Sequence, residues 1–462
     1  MRTARILTAL VIGSLALSGC SRLGLGGGGG DKKKRTPTIG QRISVLSTES
    51  ASEADPSLAD VAVLLPPAVV NDSWTQPGGN GAKVMEHLAV GTALGKAWTV
   101  NIEGSTKWER LAAAPVIAEG KLFVTDVFAK LTAFDANSGA KIWSSQVGDD
   151  SDAKGGVSIL TGDITGNKGL LFGGGVSYDN GVVYATNGLG DVEAKQAADG
   201  KRLWKVRPSG PLRGAPGIGN GNIYVMTSDN QMFALNQADG TVAWTTSAAV
   251  ELAGIFGTAA PAIAQGTVVA GFSSGELNAY RYENGRSLWG DVLSRTSIST
   301  SVASLSDIDA DPVIDRGRVF AVGQGGRMVS MDLLTGQRIW EINLAGISTP
   351  WVVGEWVFVI DDKSRLHCIA RSSGKIRWIS QMRGFRKQKK DKKKDAVNWV
   401  GPVLAGDRLI LANSLGELVN VSPADGKVQS TTKLGDGVSL PLVVANNTLY
   451  VLDNGGRITA WR

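Results

Sequence analysis

The chain holds 462 residues, enough for two or three ordinary domains or for one large array of repeats. Its 48 basic and 42 acidic residues leave a formal charge of +6, too modest over this length to argue for nucleic acid. Sixty glycines and thirteen tryptophans, against six tyrosines and ten phenylalanines, point to many tight turns and one aromatic residue used repeatedly.

The first element is a leader. Arg2 and Arg5 precede an apolar run from Ile6 to Leu17, too short to span a bilayer, and Leu17-Ser18-Gly19-Cys20 follows. A basic start, a short apolar core and small residues before a cut site predict a secretory signal peptide over residues 1–19. The ending resembles the bacterial lipobox, which implies cleavage before Cys20 and acylation of its sulfur and amino group. Several acyl chains, at about 0.8 kcal/mol per buried CH₂, hold a protein on a membrane durably. Ser21 after the cysteine resembles the pattern sent to the outer membrane. With Cys20 acylated, Cys368 has no partner for an intrachain disulfide, so stability must come from packing. Residues 20–73 read as a flexible lipidated linker, carrying Gly26–Gly30, then Asp31-Lys32-Lys33-Lys34-Arg35, then a stretch rich in Ser, Ala, Glu and Pro. The basic cluster has two readings, contact with anionic head groups or a solvated tether.

From residue 74 to 462 the chain repeats. "NSGAKIW" (137–143) is echoed by "ADGKRLW", "ADGTVAW", "ENGRSLW", "LTGQRIW" and "SSGKIRW", ending at Trp204, Trp244, Trp289, Trp340 and Trp378. Pro115, Pro216, Pro261, Pro312 and Pro350 each stand 28 residues before a tryptophan, while the interval between tryptophans wanders from 38 to 61. A rigid unit with variable connections explains both facts. Each unit reads as four short strands; in the first, 114–118, 121–125, 130–135 and 140–144 are separated by turns at Glu119-Gly120 and 136–139. Such a unit is a propeller blade. Seven complete units end at 143, 204, 244, 289, 340, 378 and 430, the last with Ser430 where the others have Trp. An eighth opens at Pro441 and runs out of chain before its fourth strand. The orphan "LGKAWTV" (94–100) supplies that strand, so an eight-bladed, all-β propeller closes by pairing 94–100 with 441–462. Trp98, Trp143, Trp204, Trp244, Trp289, Trp340 and Trp378 are then blade-docking residues, each burying roughly 150–250 Å².

Blades with a Gly-x-x-x-Trp fourth strand resemble the repeat of pyrroloquinoline-quinone dehydrogenases. Eight of them behind a lipobox resemble the BamB family of outer-membrane β-barrel assembly lipoproteins, over roughly residues 74–462. More specific is Leu305-Ser306-Asp307-Ile308-Asp309-Ala310-Asp311-Pro312, similar to the Leu-Ser-Asp-x-Asp-x-x-Pro stretch that opens one blade in that family. The resemblance implies a non-enzymatic scaffold on the periplasmic face of the outer membrane, without a cofactor. It implies binding of BamA and the rest of the assembly complex, and of unfolded outer-membrane clients. Leu305, Asp307 and Asp309, with Ile255 and Phe256 of the preceding connection (253–261), become the partner-binding candidates; Phe256 stands where better-known members have arginine. Charge reversal at Asp307 and Asp309 is expected to abolish capture of BamA while leaving the melting temperature nearly unchanged.

Two other readings compete: a quinoprotein enzyme and a propeller scaffold of a different envelope complex. The enzyme calls for an adjacent cysteine pair, and the propeller holds only Cys368. Asp307, Asp309 and Asp311 start like a calcium loop, but Pro312 replaces its glycine and Arg318 its glutamate. Cys368 shares a lattice position with Ala133, Ala194, Ala234, Ala279 and Ser330, which predicts a packed thiol. His87 and His367 have no second ligand at metal spacing, so no metal site is predicted. The basic stretch "RGFRKQKKDKKKD" (383–395) reads as a solvated loop or as an electrostatic contact for acidic head groups or an acidic partner. An exported protein with this charge is not expected to meet nucleic acid.

Overall fold

The computed structural model describes residues 52–462 apart from 150, 152–154, 158–163, 167, 213, 251–258, 294–305 and 390–391. The predicted leader, Cys20 and the first part of the linker lie outside the described residues. The described chain forms eight four-stranded antiparallel sheets. Blades 1 to 7 span residues 116–146, 176–206, 217–247, 262–292, 313–342, 351–381 and 399–433, each strand pairing with the next in sequence. Blade 8 joins Val443–Ala445, Thr448–Leu452 and Arg457–Trp461 to Lys96–Asn101 from the other end of the chain. Trp98 lies opposite Ala460 and Thr99 opposite Thr459, as the orphan strand requires. Closure leaves no blade with a missing strand, which removes the open edge that invites aggregation.

The recurring tryptophan is one part of a three-part device. In blade 4, Trp289 sits directly across from Ala279 of the third strand, and a bulge follows at once. The same pairing joins Trp143 to Ala133, Trp204 to Ala194, Trp244 to Ala234, Trp340 to Ser330 and Trp378 to Cys368. A small third-strand residue leaves room for the indole, and the bulge re-aims it at the next blade. There it lies on the glycine of the neighbouring 3–4 turn. A Cβ on Gly285 (φ +68) would come within 2.6 Å of the Trp244 ring, so both conformation and space demand glycine. Each indole N–H also donates to a carbonyl of that turn, from Trp98 to Ala136 (3.2 Å) round to Trp378 and Pro423 (3.0 Å). Cys368 is therefore a packing residue, and burial pushes its thiol pKa far up, away from reactivity.

Residues 69–90 do what no blade does. They wind around the inside of the ring and hydrogen-bond to the blades in succession. Asn71 takes the Asn446 amide of blade 8, and Trp74 exchanges both backbone bonds with Ile117 of blade 1. The Thr75 carbonyl takes Tyr178 of blade 2, and the Gln76 carboxamide both donates to and accepts from Ile218 of blade 3. Gly81 and Ala82 accept from Ile263 and Ile314 of blades 4 and 5. Glu86 accepts from the Trp351 indole of blade 6, and Leu88 pairs with Leu404 and Gly406 of blade 7. The inner edges of the first strands, which would otherwise face the channel unpaired, are satisfied one by one.

Upstream of this annulus the structure departs from the linker boundary at residue 73. Residues 52–68 lie along the ring as a strap. Asp55 donates its amide to Ile376 on the outer edge of blade 6, Arg377 reaches the Val61 carbonyl, and Val63 and Leu65 pack against the core shared by blades 6 and 7. Composition suggested flexibility because the stretch is poor in aromatics. Val63 and Leu65 nevertheless find an existing apolar surface, which composition does not register. The basic stretch is also more ordered than a loop: Phe385–Lys389 pairs antiparallel with Lys392–Ala396 on the connection from blade 6 to blade 7.

Candidate functional site

In an antiparallel blade the 1–2 and 3–4 turns lie on one face of the ring. The 2–3 turns and the connections between blades lie on the other. Asp307 and Asp309 belong to this second face, on the connection from blade 4 to 5. Ile255, Phe256 and Leu305 lie outside the described residues. The remaining parts of the connections from blade 3 to 4 and from blade 4 to 5 are brought together: the Ala260 amide donates to Asp311 Oδ1 at 2.7 Å. The Asp311 amide in turn donates to Thr349 Oγ1 (3.1 Å) on the connection from blade 5 to 6. Three consecutive connections are thus linked side by side.

The acidic stretch is seated more deeply than its sequence suggests. Asp307 is only 1% exposed, its carbonyl accepts from the Gln324 amide, and Ile308 packs over Gly271 and Gly323. Asp309 is half-buried and faces the ring axis, where it lines a central cavity. Charge reversal at Asp307 would therefore place an arginine in a packed site, and the expectation of an unchanged melting temperature does not carry over to that residue. Asp309 and Asp311, by contrast, stand at an accessible hollow.

That hollow is a cup of about 250 Å³ on the ring axis. Its walls are the starts of the first strands, including Pro115, Pro350, Trp351, Trp399 and Pro402. Its floor is the annulus, which contributes Trp74, Gln76 and Lys83. Sequence reasoning missed this part because the annulus has neither strand period nor blade motif. The one visible sign was a glycine-rich run, Gly78-Gly79-Asn80-Gly81, where a Cβ on Gly81 would meet the Ile263 carbonyl at 3.0 Å. Lys83 is 5% exposed and donates to the Pro77 carbonyl at 2.7 Å. Burial lowers its amine pKa to about 8, opposed by the negative charge of Asp311. Burial raises the Asp311 carboxyl, opposed by Lys83 and by the Ala260 hydrogen bond.

The histidines are structural. His87 bridges the Pro66 carbonyl (2.7 Å) and the Asp407 amide (3.1 Å), tying strap and annulus to blade 7. His367 is buried against Asp361 at 3.0 Å. Among the described residues no group of three His, Cys, Asp or Glu side chains is arranged to hold a metal.

The family model described as outer membrane protein assembly factor BamB matches residues 88–162 and 150–380. The chain is 25% identical over 346 residues to outer membrane protein assembly factor BamB of Moranella endobia, covering 75% of this chain and 84% of that protein. It is 24% identical over 368 residues to the protein of that name from Yersinia pestis, covering 79% and 88%. Among solved structures, BamB from Moraxella catarrhalis superposes with a TM-score of 0.63 at 17% identity, covering 80% of this chain and 100% of that one. Quinohemoprotein alcohol dehydrogenase from Comamonas testosteroni also superposes at 0.63, with 14% identity over 85% of this chain and 81% of that one. Those two likenesses speak for the eight-bladed fold; the sequence match over most of the ring separates the families. The chain belongs to the family of outer membrane protein assembly factor BamB.

Proposed function

We propose that this propeller is a non-enzymatic scaffold of outer-membrane protein assembly. Acylated Cys20 holds it on the periplasmic face of the outer membrane, and the connections 253–260 and 305–311 bind the periplasmic domains of BamA. The observation that carries the reading is the hydrogen bond from Ala260 to Asp311, which joins the described ends of the two connections that the family resemblance implies as partner contacts. Backbone hydrogen bonds to blades 4 and 5 seat Asp307 and Ile308, so these residues bring little ordering cost to a contact. The annulus supports the same view, since it ties the inner strands of the eight blades together.

The test is extraction of the full-length lipoprotein in mild detergent from its native envelope, with a photo-cross-linking residue at position 256 or 305. Cross-links to BamA are expected, and Asp309→Arg should lower its capture about tenfold or more. Efficient cross-linking to some other envelope protein, with none to BamA, would leave the ring standing and overturn the function.

A further inference from the structure

We infer that the axial cup binds a free amino acid with an apolar side chain, its ammonium held by Asp311 and its carboxylate by Lys83. The cup is built from opposite charges that do not satisfy one another. Each lies within electrostatic reach of the other, yet no ion pair closes between Lys83 and Asp311 among the described residues. Lys83 donates one hydrogen bond, to the Pro77 carbonyl, and an ammonium has three to give. Asp311 spends one oxygen on the Ala260 amide. Asp309 also lines the cup, on the side of Asp311.

A charge taken out of water without a full set of partners is expensive; Lys83 is buried and Asp311 partly buried, and desolvation already displaces both groups from their ordinary pKa values. A ligand with acceptors at one end and donors at the other removes that cost and brings no net charge into the cup. An α-amino acid has both groups on adjacent atoms. The remaining lining is largely apolar, with Pro115, Pro350, Pro402 and the stacked pair Trp74 and Trp351, and matches an apolar side chain. A volume of about 250 Å³ lies below the range of roughly 300–1,000 Å³ that holds drug-sized ligands, and so suits one small molecule. The cup is reached from the face that carries the partner-binding candidates, so occupancy would be sensed beside them. The inference itself is independent of which protein binds there.

Isothermal titration of the detergent-solubilised full chain with L-leucine and L-phenylalanine tests it. Saturable binding at about 1 mM or tighter is expected. N-acetyl-L-leucine, which lacks the ammonium, and L-leucinamide, which lacks the carboxylate, should each bind at least about tenfold more weakly. Lys83→Met and Asp311→Asn should each remove binding. Should either variant fail to fold, protection decides on the native protein: bound ligand should slow reductive methylation of Lys83, read by mass spectrometry. Absence of heat and of protection with every amino acid tried would overturn the inference. So would equal affinity for the blocked analogues, or binding of glucose in place of amino acids.

Discussion

Seven of the eight blade interfaces carry the tryptophan device, and the one between blades 7 and 8 does not. At that seam the bulge is kept, between Asn420 and Val421, but the residues around it change together. Ser430 replaces the tryptophan, and Asn420 replaces the small residue opposite, with its Nδ2 donating to the Ser430 hydroxyl at 2.8 Å. Across the seam, a Cβ on Gly95 would meet only the Arg462 carbonyl, at 3.7 Å, where a ring lies elsewhere. The fourth strand of blade 7, Val428–Lys433, is exposed at all six positions. What holds the seam instead is the chain. Residues 88–96 leave blade 7 at Leu88, take a hydrogen bond from Arg408 at Gly91, and enter blade 8 at Lys96. The apolar core at this point is shared by blades 7, 8 and 1 and includes Leu88 and Val90. A covalent crossing does for this interface what an indole does for the others.

This comparison can be broken most severely by removing the crossing. A chain beginning at residue 102 lacks the annulus and the closing strand, and leaves the edge of Arg457–Trp461 bare. It is expected to aggregate, with no cooperative melt, on size exclusion and circular dichroism. A soluble ring melting within a few degrees of the parent would mean that the other seven interfaces suffice. The next largest contrast is between single residues. Trp289→Ala should cost about 3–5 kcal/mol, because it empties a packed slot. Ser430→Ala should stay within about 0.5 kcal/mol, because it alters an exposed position. Denaturant midpoints measure both, and equal losses would deny that the seam is built differently.

The ring itself was legible because its logic is local and repeated. A proline, a turn glycine and a tryptophan at constant spacing report one blade each, and an orphan strand reports the closure. Blade 7 could be counted despite Ser430 because its turn survives. The annulus was not legible, since it spends one or two hydrogen bonds per blade and needs no periodic side chains to do so. The depth of Asp307 was hidden for a related reason. An acidic run reads as surface, and only the packing of Ile308 between blades 4 and 5 pulls its neighbour inward. Cys368 was readable because six blades offer the same lattice position for comparison, whereas Lys83 has no counterpart anywhere in the chain.

If the seam merely lacks a clamp, one can be supplied. Asn420→Ala with Ser430→Trp restores the small residue and the indole over Gly95, where open space remains. The double variant loses one exposed hydrogen bond and gains a half-buried ring, so a net stabilisation of about 0.5–2 kcal/mol is expected. A fall in the melting temperature would show that the 88–96 crossing occupies the room an indole needs.

The smallest effect concerns the neighbouring outer edges of blades 6 and 7, one covered and one bare. The strap lies on the edge of blade 6 through Asp55, whose carboxylate accepts from the Ser57 amide (2.8 Å) and meets Lys375 Nζ at 3.0 Å. The Ser57 and Lys375 hydrogen bonds lower the Asp55 pKa from 3.8 to about 2. A lowered carboxylate contributes its stabilisation fully above the unfolded value and loses it as pH falls through the folded one. The strap should therefore stay closed above about pH 4 and open progressively towards pH 2, while the ring beneath keeps its own melt. Pepsin cleavage at Leu58 across that window reads the opening directly. In Asp55→Asn the carboxylate is gone at every pH, so cleavage should start higher and lose this pH dependence. Identical profiles for the two proteins would place the strap's hold in Arg377, Val63 and Leu65, and leave the covered edge independent of charge.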